Sequence, residues 1–121
     1  MKIAIIGFGN MGQTYANSFM SSGFVGTSDI LVLNKITVKE KYSYGIDAAN
    51  FYTQPNPKIF ESDILILAVK PQDFKQLASE IKPFLNSEHV VLSVMAGISI
   101  ETMQKELGVF KIVRSMPNIP T

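Results

Sequence analysis

A doubly wound α/β domain, with a mainly parallel sheet and helices on both faces, is what this sequence predicts, and three observations carry that prediction. An apolar, β-branched run over residues 3–6 leads into glycines spaced G-x-G-x-x-G (Gly7, Gly9, Gly12), followed by a stretch patterned as a helix. Strand-like and helix-like segments then alternate about six times without a composition break, internal repeat or low-complexity tract. The runs ILVL and ILIL are continuously apolar, as in a parallel strand buried on both faces. For such a unit the default strand order is 3-2-1-4-5-6.

The elements follow in order. The first strand is expected over residues 2–7 and its helix over NMGQTYANSF, where Met11, Tyr15, Ala16, Phe19 and Met20 form one stripe and Gly23 supplies a stop. That stripe reads as core, not as a cofactor box. DILVLN, residues 29–34, is the second strand. Residues 38–45 read as a short helix or loop, with Lys39 and Lys41 on a solvated face. A third strand falls within 46–52, its limits blurred by Asp47, Ala48, Ala49 and Asn50. The turn TQPNP follows, then a brief helical segment over 58–62. DILILAV, residues 63–69, is the fourth strand. A helix over 71–85 opens on Pro71, presents Phe74, Leu77, Ala78, Ile81 and Leu85 on one face, and is limited by Pro83. The fifth strand, 89–94, runs into MAGIS, where Gly97 marks a turn; Ser99 is the expected N-cap of a helix through Leu107, and Gly108 its stop. A sixth strand over 109–115 precedes MPNIPT, whose two prolines forbid regular structure.

Composition bounds the class. With 121 residues, 46% hydrophobic and 17% charged, the chain is expected to form one soluble globular domain, residues 1–121. No apolar run approaches the roughly 18 residues of a membrane span, and no basic segment with a small-residue cleavage site precedes the first strand, so neither a membrane segment nor a signal peptide is expected. The absence of Cys fits a reducing cytoplasm. A net charge of +1 gives no electrostatic case for nucleic acid. The single histidine, His89, rules out a multi-His metal site, and no metal is expected. His89 stands at the start of its strand, away from the ligand end, and reads as structural or solvent-facing.

The chemistry lies at the strand carboxyl ends, where open α/β sheets bind ligands. A G-x-G-x-x-G between a strand and a helix is the dinucleotide (Rossmann) fingerprint: Gly7 permits the tight turn, Gly9 lets a pyrophosphate approach, and Gly12 lets the helix pack closely. The helix N-terminus offers unpaired N–H groups to phosphate. Asn34 lies 22 residues past Gly12, where NAD-binding domains carry an acid that bonds the ribose hydroxyls. Instead of the acid stand Asn34, Lys35 and Thr37, an amide, a cation and a hydroxyl suited to a 2′-phosphate. NADP(H) is therefore expected over NAD(H). Lys70, at the end of the fourth strand, either approaches the cofactor or caps a buried strand; both readings stand.

Four stretches, IIGFGNMG, LAVKPQ, SVMAGIS and RSMPNIP, resemble in order and spacing the coenzyme domain of pyrroline-5-carboxylate reductases. The family pattern at the last is close to R-x-M-P-N-T-P-A, from which Ile119 and Thr121 depart. The resemblance implies NADPH-dependent reduction of the imine of 1-pyrroline-5-carboxylate to L-proline, the last step of proline biosynthesis, in the cytoplasm. It assigns the pyrophosphate loop to Phe8, Gly9, Asn10, Met11 and Gly12, and 2′-phosphate contacts to Asn34, Lys35 and Thr37. Lys35 replaces an arginine common in relatives, keeping the charge and losing the bidentate fork. Asn56 matches a cofactor-contacting asparagine, Ala68, Val69, Lys70 and Pro71 the segment beside ribose and nicotinamide, Met95 and Ala96 the next turn, and Asn118 a position near nicotinamide and substrate.

Relatives are about twice as long, and their helical C-terminal domain, which forms the dimer and most of the substrate pocket, is absent here. The resemblance thus implies a coenzyme domain cut from, or standing in for, a complete reductase, with no catalytic residue of its own and little turnover alone. Rival readings are another dehydrogenase on the same domain, of β-hydroxyacid, prephenate or F420-linked type, against which AVKPQ and MPN-x-P argue, and a non-catalytic NADP(H)-binding or interaction module.

Overall fold

The computed structural model describes residues 1–38 and 45–115. Six strands form one sheet: β1 Ile3–Ile6, β2 Ile30–Leu33, β3 Phe51–Tyr52, β4 Ile64–Leu67, β5 Val90–Ser93 and β6 Ile112–Arg114. Every neighbouring pair is parallel, and the order is β3-β2-β1-β4-β5-β6, the default for a doubly wound unit. The helices are α1 Asn10–Ser21, α2 Phe74–Ile81 and α3 Ile100–Leu107.

Alternation along each strand divides the core into two layers. Ile3, Ile5, Ile30, Val32 and Ile66 point to the face covered by α1, where Ala16 is buried and Met11, Tyr15, Phe19 and Met20 pack as the expected stripe. Ala4, Ile6, Leu31, Leu33, Leu65 and Leu67 point to the other face, under α2 and α3. Central strand β1 is fully sequestered, and burial of each of its isoleucines contributes roughly 1.5–3 kcal/mol. That burial explains the unbroken apolar runs.

Several boundaries differ from the sequence expectation, each for a local reason. The third strand is only two residues, because the Asp47 carboxylate accepts the Ala49 N–H at 3.0 Å and winds 48–50 into a 3-10 turn. The expected helix over 71–85 is α-helical only over Phe74–Ile81, flanked by 3-10 turns at Pro71–Asp73 and Lys82–Phe84. Pro83 has no N–H to continue the ladder. The sixth strand starts late, at Ile112, after the Ile112 N–H closes a tight bond onto the Phe110 carbonyl at 3.0 Å. Helix α3 follows expectation: the Ser99 hydroxyl accepts the Thr102 N–H at 3.1 Å, and Gly108 ends it in the left-handed region. Most of the 38–45 segment, including Lys39 and Lys41, lies outside the described residues, as does Asn118. Among the described residues no helix is long and apolar enough to cross a membrane.

His89 is structural. It is 4% exposed; its Nδ1 accepts the Asn86 N–H at 3.0 Å, so Nε2 carries the proton and donates to the Phe60 carbonyl at 2.7 Å. It buttresses the N-terminal edge of the sheet.

Candidate functional site

The site grows from the way β1 ends. Ladder bonds continue past the strands, Gly7 N–H to Leu33 O and Ala68 N–H to Ile6 O, both at 2.8 Å, and Val94 N–H to Leu67 O at 3.0 Å. The carboxyl ends of β2, β1, β4 and β5 therefore stand level. Gly7 turns the chain with φ +95°, and a Cβ there would lie 2.8 Å from the Ala68 carbonyl group. Gly12 lies under the turn, where a Cβ would collide with the Gly7 carbonyl oxygen. Gly9 is different: a Cβ there meets nothing within 4 Å, so the loop leaves open space toward a ligand. Gly7 thus serves the turn and Gly12 the packing of the helix, while Gly9 leaves its side of the loop open.

Helix α1 begins at this loop without a side-chain cap, Gly9 being its N-cap residue. Its first helical bond runs from Gln13 N–H to Gly9 O at 3.0 Å, which leaves the N–H groups of Asn10, Met11 and Gly12 available for an anion. The cradle is prebuilt by two side chains. Asn34 Oδ1 accepts the Phe8 N–H at 3.0 Å, and Gln13 Nε2 donates to the Phe8 carbonyl at 2.9 Å. Asn34 Nδ2 also donates to the Ile36 carbonyl at 2.8 Å, so the residue ties the end of β2 to the glycine loop and keeps one amide hydrogen for a ligand.

A crevice of about 410 Å³ opens beside the loop, lined by Gly9, Asn10, Met11, Ala68, Val69, Lys70, Pro71, Val94, Met95 and Ala96. All but Val94 are sequence-predicted site residues. Lys70 lines the crevice and also precedes the 3-10 turn at Pro71–Asp73, which its side chain does not cap. Ser93 was not anticipated; fully buried, its hydroxyl accepts the Met95 N–H at 3.2 Å and fixes the turn below the crevice. A serine ending an apolar strand was its only signal.

Other candidates stand apart from the crevice wall. The Asn56 side chain accepts the Lys58 N–H at 2.9 Å and builds its own turn. Thr37 is exposed in the loop after β2. Lys35, on that same loop, reaches across to α2, where its Nζ lies 3.2 Å from Glu80 Oε1. Gln76 Nε2 donates to the same oxygen at 3.2 Å. The Gln76 hydrogen bond foremost holds the Glu80 carboxyl below its ordinary pKa; burial opposes it, and the hydrogen bond and charge of Lys35 add to the lowering. Sequence reasoning missed Glu80, which lies 45 residues from its partner.

An uncapped helix start after a glycine turn, with an apolar cleft beside it, is the arrangement found in nucleotide-binding oxidoreductase folds. A family model described as NADP oxidoreductase, coenzyme F420-dependent, matches residues 2–97. The pyrroline-5-carboxylate reductase of Aquifex aeolicus is 38% identical over 120 residues, covering 98% of this chain and 43% of that protein. Among solved structures, that of a pyrroline-5-carboxylate reductase from Coxiella burnetii superposes with a TM-score of 0.81 at 30% identity, over 98% of this chain and 44% of that one. The Plasmodium falciparum pyrroline carboxylate reductase, with NADP bound, shares the fold with a TM-score of 0.79 at 23% identity, over 98% and 42%. The chain spans less than half the length of the relatives it matches.

Proposed function

The chain belongs to the family of NADP oxidoreductases described as coenzyme F420-dependent, and on that premise we propose that residues 1–121 are the coenzyme-binding domain of an enzyme reducing 1-pyrroline-5-carboxylate to L-proline with NADPH. The observation that carries the reading is the glycine loop, open at Gly9 and joined to an uncapped helix start. Similarity to the reductases supports the substrate, because it runs across 120 residues and so extends past residue 97, where the family model ends.

The residues present fit a dinucleotide. Gly7, Phe8, Gly9, Asn10, Met11 and Gly12 form the pyrophosphate cradle: the N–H groups of Asn10, Met11 and Gly12 face the phosphates, while those of Gly7 and Phe8, bonded to Leu33 O and Asn34 Oδ1, hold the loop in shape. Lys35 and Thr37, with the remaining amide hydrogen of Asn34, are the groups for a 2′-phosphate, which favours NADPH over NADH; a carboxylate at the end of β2 would instead repel it. Asn56 contributes from the neighbouring loop. Ala68, Val69, Pro71, Met95 and Ala96 wall the cleft for ribose and nicotinamide, and their apolar surface keeps water from the reacting carbon. When bound, NADPH supplies the hydride. The described lining residues include no carboxyl or imidazole, and in this reading a proton for the imine nitrogen comes from elsewhere in the complete enzyme or from substrate already protonated. Asn118 is assigned to the substrate side. In this reading a further helical domain supplies the dimer and most of the imino-acid pocket, and the protein works in the cytoplasm.

Calorimetric titration of residues 1–121 with NADPH and separately with NADH, at fixed salt, tests the cofactor reading. NADPH is expected to bind more tightly; equal affinities would remove the 2′-phosphate assignment, and binding of neither would remove the site. Oxidation of NADPH that depends on 1-pyrroline-5-carboxylate, measured on the protein with its complete C-terminal part, tests the reaction. A complete enzyme that binds NADPH but leaves this imine unreduced would overturn the substrate.

A further inference from the structure

We propose that Glu80 sets the strength of this site's preference for a phosphorylated dinucleotide, by holding the Lys35 ammonium against α2 in competition with the 2′-phosphate. The inference rests on the reading that Lys35 serves that phosphate. Three observations support it. Backbone around Lys35 is pinned, since Asn34 is bonded to both Phe8 N–H and Ile36 O, so the cation has a defined origin beside the glycine loop. Its ammonium is nonetheless engaged away from the loop, 3.2 Å from Glu80 Oε1. That carboxylate is itself held in place on α2 by Gln76, four residues earlier on the same helix.

The pair is a bias and not a lock. The Lys35 and Glu80 side chains are 61% and 31% exposed, and ion pairs in such settings are weak and screened by salt. A phosphate ester carries more charge and more acceptor oxygens than one carboxylate, so it can draw Lys35 away. Even then Glu80 remains a like charge within reach of the same ammonium, and opposes the phosphate a second time. Both effects have one sign. They act on NADPH and not on NADH, which has no 2′-phosphate.

The test is a set of calorimetric titrations of the whole chain with NADPH and NADH. Glu80→Gln keeps the side chain's size and is expected to tighten NADPH roughly two- to fivefold while leaving NADH unchanged. Glu88→Gln is the control, because Glu88 pairs with Lys111 at 3.8 Å beyond the opposite end of the sheet and its loss changes net charge equally; no cofactor effect is expected from it. In a Lys35→Ala background Glu80→Gln is expected to tighten NADPH clearly less than in wild type, only the direct like-charge effect being left, and an undiminished gain there overturns the competition for Lys35. NADPH affinity that stays level or falls in Glu80→Gln, while Lys35→Ala still weakens NADPH selectively, overturns the role of Glu80 and spares the site. An NADPH-to-NADH ratio unmoved by Lys35→Ala overturns the site reading and this inference with it.

Discussion

Asn34 Oδ1 accepts the Phe8 N–H at 3.0 Å, joining the end of β2 to the glycine loop across 26 residues of sequence. Asn34 therefore acts on the pyrophosphate cradle that both dinucleotides use. Asn34→Ala is expected to weaken NADH about fivefold, for the loss of about 1 kcal/mol in the bond to the loop, and NADPH somewhat more, because the remaining amide hydrogen is assigned to the 2′-phosphate. Titrations of the variant with both cofactors check this. A loss confined to NADPH would assign the side chain mainly to the 2′-phosphate.

Two glycines of one motif are expected to fail in opposite ways. Gly9→Ala places a Cβ in open space, so stability falls by no more than about 1 kcal/mol, while dinucleotide affinity drops at least tenfold. Gly12→Ala drives a Cβ into the Gly7 carbonyl and is expected to cost about 3 kcal/mol or more. Urea denaturation beside calorimetry separates the two.

Removal of His89 is expected to destabilise without touching binding. His89→Ala loses two hydrogen bonds and its edge-on packing against Phe60, together about 3 kcal/mol. Its position lies across the sheet from the crevice, so a folded variant is expected to bind NADPH normally. Weakened binding at full foldedness would give His89 a functional role.

Acid is expected to undo the Lys35–Glu80 pair. Gln76 and Lys35 depress the folded-state pKa of Glu80 below its unfolded value, so the stability it contributes is complete above the unfolded pKa and drains as pH falls through the folded one. Thermal melts of wild type and Glu80→Gln between about pH 3 and 6 measure this. Wild type is expected to lose slightly more stability than the variant on acidification, and the difference to shrink in high salt.

Backbone requirements and periodic burial were written plainly in the sequence. Gly7 and Gly12 had to be glycine for reasons that operate within a few residues or against the next strand, and the apolar runs of β1, β2 and β4 showed burial on both faces. Right-handed crossovers then leave few alternatives to the observed order. What stayed hidden depends on tertiary placement. Nothing local indicated that Asn34 would bond Phe8, that Glu80 would face Lys35, or that the Ser93 hydroxyl would hold the Met95 turn. Segment ends were blurred where side-chain bonds such as that of Asp47, or a missing N–H at Pro83, redirected the chain.

The placement of β1 at the centre of the sheet has a consequence for synthesis. The glycine loop is made well ahead of its partners: β1 pairs with β4, where Asp63 lies 61 residues beyond Lys2, and the wall behind Gly7 is the backbone of Ala68. A nascent chain halted before β4 carries the motif without the cradle, and β1, the strand the finished fold buries most completely, waits unpaired on one side. Such long-range parallel pairing slows folding and prolongs exposure of sticky segments. The nucleotide loop is thus made before its wall and completed only with it, and the ribosome must deliver β4 before there is anything for a dinucleotide to stabilise.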